Sequence, residues 1–232
     1  FDAEIMAFLN QFSQFSLIFD SLIVFISKNH LIKGGVLLTV FCWGWFRVTN
    51  THHLVKIHLI SALIGCFVSM ALARTLAVIL PFRLRPIHEE NLDFRLPHGM
   101  EPSILDGWSS LPSDHAVLFF ALATGIFYIG KWIGLFAMLY TFIMIGLPRI
   151  YLGLHYPTDI IVGAIVGISV VLLCQASYLR KKISEPVVSF SLNKPELFYP
   201  LFFIVLYQIA DMFNSARELI GFASSMLKSL MT

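Results

Sequence analysis

Charge is what this sequence has least of. Asp, Glu, Lys and Arg make up 13% of its 232 residues, about half the roughly 25% of a soluble domain. Too few charged side chains are present to coat a water-exposed surface. The formal net charge of +2 is too small to point to nucleic acid. Cysteine is also scarce. Cys42, Cys66 and Cys174 each lie inside an apolar run; they have no disulfide or metal-ligand spacing and read as small packing residues. Neither a cleavable signal peptide nor an internal repeat is expected. What is abundant is apolar: 57% of residues are hydrophobic and 22 are Phe. Several uninterrupted runs reach the roughly 20 residues needed to cross a bilayer. The fold class is therefore all-α, a polytopic membrane helical bundle of about six spans.

In chain order, residues 1–28 are apolar but broken by Asp2, Glu4, Asn10, Gln11, Gln14 and Asp20. They read as amphipathic helices lying at the interface, with a tilted span over 12–28 as the alternative. Spans are expected over 31–46, 57–80, 115–130, 132–147, 158–179 and 197–213. Trp43, Trp45 and Phe46 make an aromatic belt at the end of the first. Pro81 stops the second, which carries Arg74 near its end. Residues 81–113 form a long polar loop, the kind that is usually functional, and 214–232 an amphipathic tail.

Alternating the six spans puts Arg47, Lys56, Lys131, Arg180, Lys181 and Lys182 on one side, which the distribution of basic residues assigns to the cytoplasm. Two histidine clusters then share the opposite, outer face. One is Pro112-Ser113-Asp114-His115; the other runs from Pro148-Arg149 through His155 to Asp159. Segments so far apart could have fallen on opposite sides.

Together these residues suit phosphoryl transfer. A carboxylate at Asp159, near the start of a helix, can bond one ring nitrogen of His155 and leave the other free as a nucleophile. Arg149 offers a planar fork matched to phosphate oxygens. Ser113 can donate to phosphate beside the N–H groups of a helix N-terminus, and His115 can act as general acid–base. No cluster resembles a metal cage, and no cofactor is expected.

These motifs resemble the type 2 phosphatidic acid phosphatase superfamily of membrane lipid phosphatases, whose pattern is Lys-x6-Arg-Pro, Pro-Ser-Gly-His and Ser-Arg-x5-His-x3-Asp. Here the third motif is Pro148-Arg149-x5-His155-x3-Asp159 and the second is Pro112-Ser113-Asp114-His115. The first survives only as Arg85-Pro86, with Val78 at the lysine position; Arg74 or Arg83 is its replacement. The resemblance implies His155 as nucleophile, Asp159 as its orienter and His115 as general acid. Ser113, Arg149, Arg85 and Arg74 would bind phosphate. Asp114 stands where the family has glycine, and either caps its helix or tunes substrate choice. Pro-Ser-Asp-His is similar to the bacterial undecaprenyl pyrophosphate phosphatases of the superfamily.

The resemblance thus implies one integral membrane domain over 1–232. It would hydrolyse a lipid phosphate or pyrophosphate through phosphohistidine, in the bacterial inner membrane, with its site facing the periplasm or outside. Its partners would be the lipid substrate and the bilayer, with no nucleic acid. Open beside this are a phosphatidate or phosphatidylglycerophosphate phosphatase, a lipid phosphotransferase, and a non-catalytic lipid-phosphate transporter or binding protein. His52, His53 and His58 read as a polar turn, and Trp108 as an interface anchor of the loop.

Overall fold

The computed structural model describes the backbone of residues 1–230 and the side chains of residues 1–226. Met231 and Thr232, the end of the expected tail, lie outside the described residues. Every regular element among the described residues is helical. The polar-interrupted N-terminus forms α1 (Asp2–Asn10) and α2 (Leu17–Lys28). A π-helical turn, Leu31–Gly35, leads into α3 (Val36–Phe46), and α4 spans His52–Ile79. Pro81 follows immediately and cannot continue the helix.

The core helix is α5 (Asp114–Ile126), in which every residue from Ala116 to Ile126 is buried. Ser113 caps it, its hydroxyl accepting from the Ala116 N–H. A run with one polar side chain can be buried on all faces, because that hydroxyl, Thr124, donates to the Phe120 carbonyl at 2.7 Å. α5 packs between α4 and α8 (Pro157–Cys174). Gly163 and Gly167 make this approach close: a Cβ on Gly167 would sit 2.2 Å from the Val117 carbonyl oxygen.

Between α5 and α8 lie α6 (Lys131–Tyr140), a π-helical turn Thr141–Gly146, and α7 (Leu147–Tyr151), together one apolar run of 21 residues. Pro148 sits at the start of α7, where a missing N–H costs little. After α8 come the single turn α9 (Ser177–Leu179), a π-helical turn Arg180–Ser184, α10 (Glu185–Asn193), α11 (Pro195–Ala210) and α12 (Asn214–Leu230). The span expected over 158–179 is followed by the basic triplet 180–182, and the chain stays helical through it.

His52–Ile79, Lys131–Tyr151 and Pro157–Cys174 are long and apolar enough to cross a membrane. Counting the bent pairs α2–α3 and α11–α12 as one span each gives five. The expected six spans included 115–130. There the helix has only 13 residues, about 20 Å at 1.5 Å per residue, against a bilayer core of roughly 30 Å. Large apolar side chains on the long helices face outward, among them Val78, Leu139, Ile165 and Leu173, as expected where lipid replaces water.

The N-terminal helices hold the 81–113 loop. Asn10 and Arg95 exchange two bonds of 2.8 Å, from the Asn10 amide to the Arg95 carbonyl and from the Arg95 N–H to the Asn10 amide oxygen. Fully buried Asp20 accepts from the His98 N–H at 2.8 Å and from the Tyr151 hydroxyl. The polar residues that break the apolar run at 1–28 are thus largely the groups that tie down the loop.

Candidate active site

Four chain segments meet at one end of the α4–α5–α8 core. The C-terminal part of α4 brings Arg74, the N-terminus of α5 brings Asp114 and His115, and the last turn of α7 brings Arg149. The α7–α8 turn brings His155. That turn depends on Gly153 at φ +68°, a left-handed position closing a helix. There the N–H groups of Leu154 and His155 both return to the Arg149 carbonyl, at 3.0 and 3.2 Å.

These side chains line a cavity of about 490 Å³ together with Arg85 and Trp108 from the loop and Met212, Asn214, Arg217 and Glu218 from the α11–α12 junction. His155 is 4% exposed. Its Nδ1 lies 2.8 Å from the Ser110 carbonyl oxygen, which can only accept. This makes Nδ1 the protonated nitrogen and leaves Nε2 unprotonated, as an acceptor. Nε2 faces the Arg85 guanidinium at 3.3 Å. Burial holds the imidazole below its ordinary value of 6.5; Asp159 opposes this, and the Arg85 and Arg149 charges add to it.

The expected bond from Asp159 to His155 is absent. The carboxylate lies 3.7 Å from Nδ1, too far for a hydrogen bond, and the Ser110 carbonyl has taken that place. Fully buried Asp159 instead accepts the Tyr156 N–H at 2.8 Å, capping α8, and Arg83 at 2.6 Å. Arg83 also bonds Thr158 at 2.9 Å and Asp2 at 2.8 Å and lies 4.0 Å over the Tyr156 ring. Thus Arg83 serves the carboxylate network and does not line the cavity. Of the two arginines offered in place of the family's lysine, Arg74 is the one that does.

Arg85 is fixed by backbone carbonyls: Leu154 at 2.6 Å, Ser109 at 3.2 Å and Trp108 at 3.2 Å. Burial lowers it to about 10 despite nearby Asp114 and Asp159, which leaves it charged at neutral pH. Arg149, 7% exposed, donates to the Ser27 carbonyl at 3.3 Å and to Nε2 of His115. Asp114 leaves the capping of α5 to Ser113 and pairs with Arg74. Ser113 is fully buried and is not among the cavity's lining residues.

Trp108, expected as an interface anchor, lies at the cavity with its ring 5.0 Å from the Arg74 guanidinium. Sequence reading also missed Lys33 and the α12 residues Arg217 and Glu218. Lys33 carried one signal, a lone lysine in the first apolar run. The α12 residues carried none, being more than fifty positions from the nearest motif.

Residues 80–183 match the model of the PAP2 superfamily. This stretch is a PAP2 superfamily region. It encloses Arg83, Arg85, Ser113 to His115, Arg149, His155 and Asp159, and leaves out Lys33, Arg74 and α12. The chain is 40% identical to the bacitracin transport permease protein BcrC of Bacillus licheniformis over 26% of its own length and 29% of the relative's. It is 37% identical to the lipid A 4'-phosphatase of Bacteroides thetaiotaomicron, over 37% and 38% respectively. It is 22% identical to the undecaprenyl-diphosphatase BcrC of Bacillus subtilis, over 71% and 78%. The chain therefore spans less than two fifths of the length of the first two relatives. No solved structure matches. With its apolar helices, the PAP2 region lies in an integral membrane protein.

Proposed function

We propose that the chain hydrolyses a lipid phosphate, by preference the terminal phosphate of an isoprenyl diphosphate carrier lipid, on the outer face of a bacterial membrane. The observation that carries this is the unprotonated Nε2 of buried His155, which accepts from Arg85 at 3.3 Å, a donor that an incoming phosphate would draw away, in a cavity that Arg74, Arg149 and His115 also line. Nε2 attacks phosphorus, the bond from phosphorus to the leaving oxygen breaks, and His115 gives that oxygen a proton. Water then attacks the phosphohistidine, His115 takes its proton back, and inorganic phosphate leaves with His155 restored. An incoming phosphate dianion competes for the Arg149 fork and so releases His115 Nε2 for protonation. The three arginines supply the positive charge that such a transition state needs, so turnover is expected to survive chelation of metal ions.

The outer-face assignment is supported by the basic residues. Arg47 and Lys56 lie near the start of α4, Lys131 at the start of α6 and Arg180 to Lys182 beyond α8, all at helix ends away from the cavity. The diphosphate preference is supported by the name of the B. subtilis relative. A phosphomonoester is the second reading, favoured by the match to a lipid A 4'-phosphatase.

The test is phosphate release by detergent-solubilised protein in EDTA, from undecaprenyl diphosphate and from phosphatidate. Release is expected chiefly from the diphosphate. His155→Ala is expected to lose at least about 10³-fold, as for other covalent nucleophiles. Release mainly from phosphatidate would select the second reading. Full activity of the alanine variant would end the proposed mechanism.

A further inference from the structure

Beside the catalytic cavity lies a second one, of about 330 Å³. His115, Arg149 and Asn214 line both; His155 lines only the first. The second cavity is lined by Lys33, Lys28 and His30, and no carboxylate lines it among the described residues. Lys33 is 4% exposed, on the π-helical turn before α3. Such turns inside helices often occur at functional sites. The turn is pressed against α11, where a Cβ on Gly34 would meet the Ala210 Cα at 2.7 Å, so the lysine stem is not free to swing out. The Asp211 carboxylate, whose charge acts on Lys33, is in an ion pair with His30 at 3.7 Å, and among the described residues no hydrogen bond or salt bridge takes the ammonium itself. A buried, unpaired ammonium beside a carboxylate-free cavity is a site for an anion.

The order of groups across the two cavities says which anion. His155 attacks from the first cavity, and the leaving oxygen departs on the side of His115, which faces both. Whatever is bonded to that oxygen extends into the second cavity. In a diphosphate lipid this is a second phosphate. In a simple phosphomonoester it is neutral carbon, which would leave the ammonium unpaired. We propose that Lys33 binds the leaving phosphate of a diphosphate substrate and makes the site discriminate against monophosphates. The apolar walls Met100, Ile104, Leu152 and Leu154 accept the start of the lipid tail. The inference rests on the reading that His155 is the nucleophile.

The experiment compares wild type, Lys33→Met and Lys33→Arg on undecaprenyl diphosphate and on undecaprenyl phosphate. Lys33→Met is expected to lose on the order of tenfold or more in kcat/KM for the diphosphate, the effect of one charge-assisted hydrogen bond. It should lose less than about threefold for the monophosphate, whose leaving group makes no such bond. Lys33→Arg should recover most of the difference. Equal losses on both substrates, or none, would overturn the proposal. Binding of inorganic pyrophosphate and orthophosphate to the same solubilised proteins, followed by calorimetry, gives a readout that does not depend on turnover. Wild type should prefer pyrophosphate, and Lys33→Met should lose that preference. A methionine variant that keeps it, or a wild type without it, sinks the Lys33 site even if the protein proves to have another activity. If the methionine variant does not fold, Lys33→Gln serves in both assays.

Discussion

The two ends of the α4–α5–α8 core are both polar, yet they are built on opposite rules. At the far end the polar groups satisfy one another. His58 bonds the Gln175 side chain at 2.7 Å, Gln175 returns a bond to the His58 carbonyl at 3.0 Å, and Ser61 donates to the Cys174 carbonyl at 2.7 Å. His58 also stacks on Tyr128, 4.3 Å between ring centres. At the cavity end, cations outnumber their partners. Asp114 takes Arg74, Arg85 and Arg149 hold backbone carbonyls, and among the described residues no hydrogen bond or salt bridge takes the Lys33 ammonium. A closed polar network makes a helix crossing specific; a network short of anions keeps its positive field for something that arrives.

If that contrast is right, the largest effects after the nucleophile itself come from blunting the arginines without removing charge. Arg85→Lys keeps the cation but loses the fork fixed by three carbonyls. Phosphate release is expected to fall about 10²-fold, as when a preorganised donor to a transition state is lost. A lysine variant within a few-fold of wild type would mean that net charge alone suffices and that the fork has no role.

A smaller change separates the two functions of Asp159. Activity needs Nε2 unprotonated, so it rises as pH passes upward through the His155 value. That value lies below 6.5, and the acid limb of kcat/KM is expected below pH 6.5 with it. Asp159 raises it, so Asp159→Asn should move the limb to still lower pH. The variant should also cost roughly ten- to a hundredfold in rate, because the charged cap of α8 becomes a neutral amide, Arg83 loses one of its two carboxylate partners and the turn holding His155 shifts. An acid limb that moves upward would show that the carboxylate does not act on His155 through its charge.

The sequence analysis read the cavity where short motifs carried it. His115, Arg149 and His155 were legible because polar groups at the ends of apolar runs are costly and their spacing is fixed by local helix and turn geometry. Arg85 was placed by its motif with Pro86, whereas Arg83, two residues away, was left as an alternative to Arg74, and the motif did not show what holds either. Their roles follow from long-range partners, Asp2 for Arg83 and Leu154 for Arg85. The hydrogen bond from His155 Nδ1 was missed because its acceptor is a backbone carbonyl, that of Ser110, and every residue has one. The six expected spans were counted from apolar length, and three to five helices pass that measure among the described residues. α5 has 13 residues and is buried among other helices, and α2–α3 bends by 64° where the pattern suggested a separate interfacial segment.

The far end supplies the smallest effect and the sharpest control. His58→Ala removes the bond to Gln175 and the stack on Tyr128, and leaves the Gln175 amide oxygen without its partner. The expected cost is about 1–2 kcal/mol, that of losing one partly buried hydrogen bond, read as a lower apparent Tm in detergent. Turnover on a lipid phosphate should stay within about twofold of wild type, because nothing at that end touches the cavity and independent sites add. A large fall in kcat with unchanged stability would show that the two ends are coupled through α4 and α8. The far network would then position Arg74 and His155, and the division between a satisfied end and a reactive end would have to be given up.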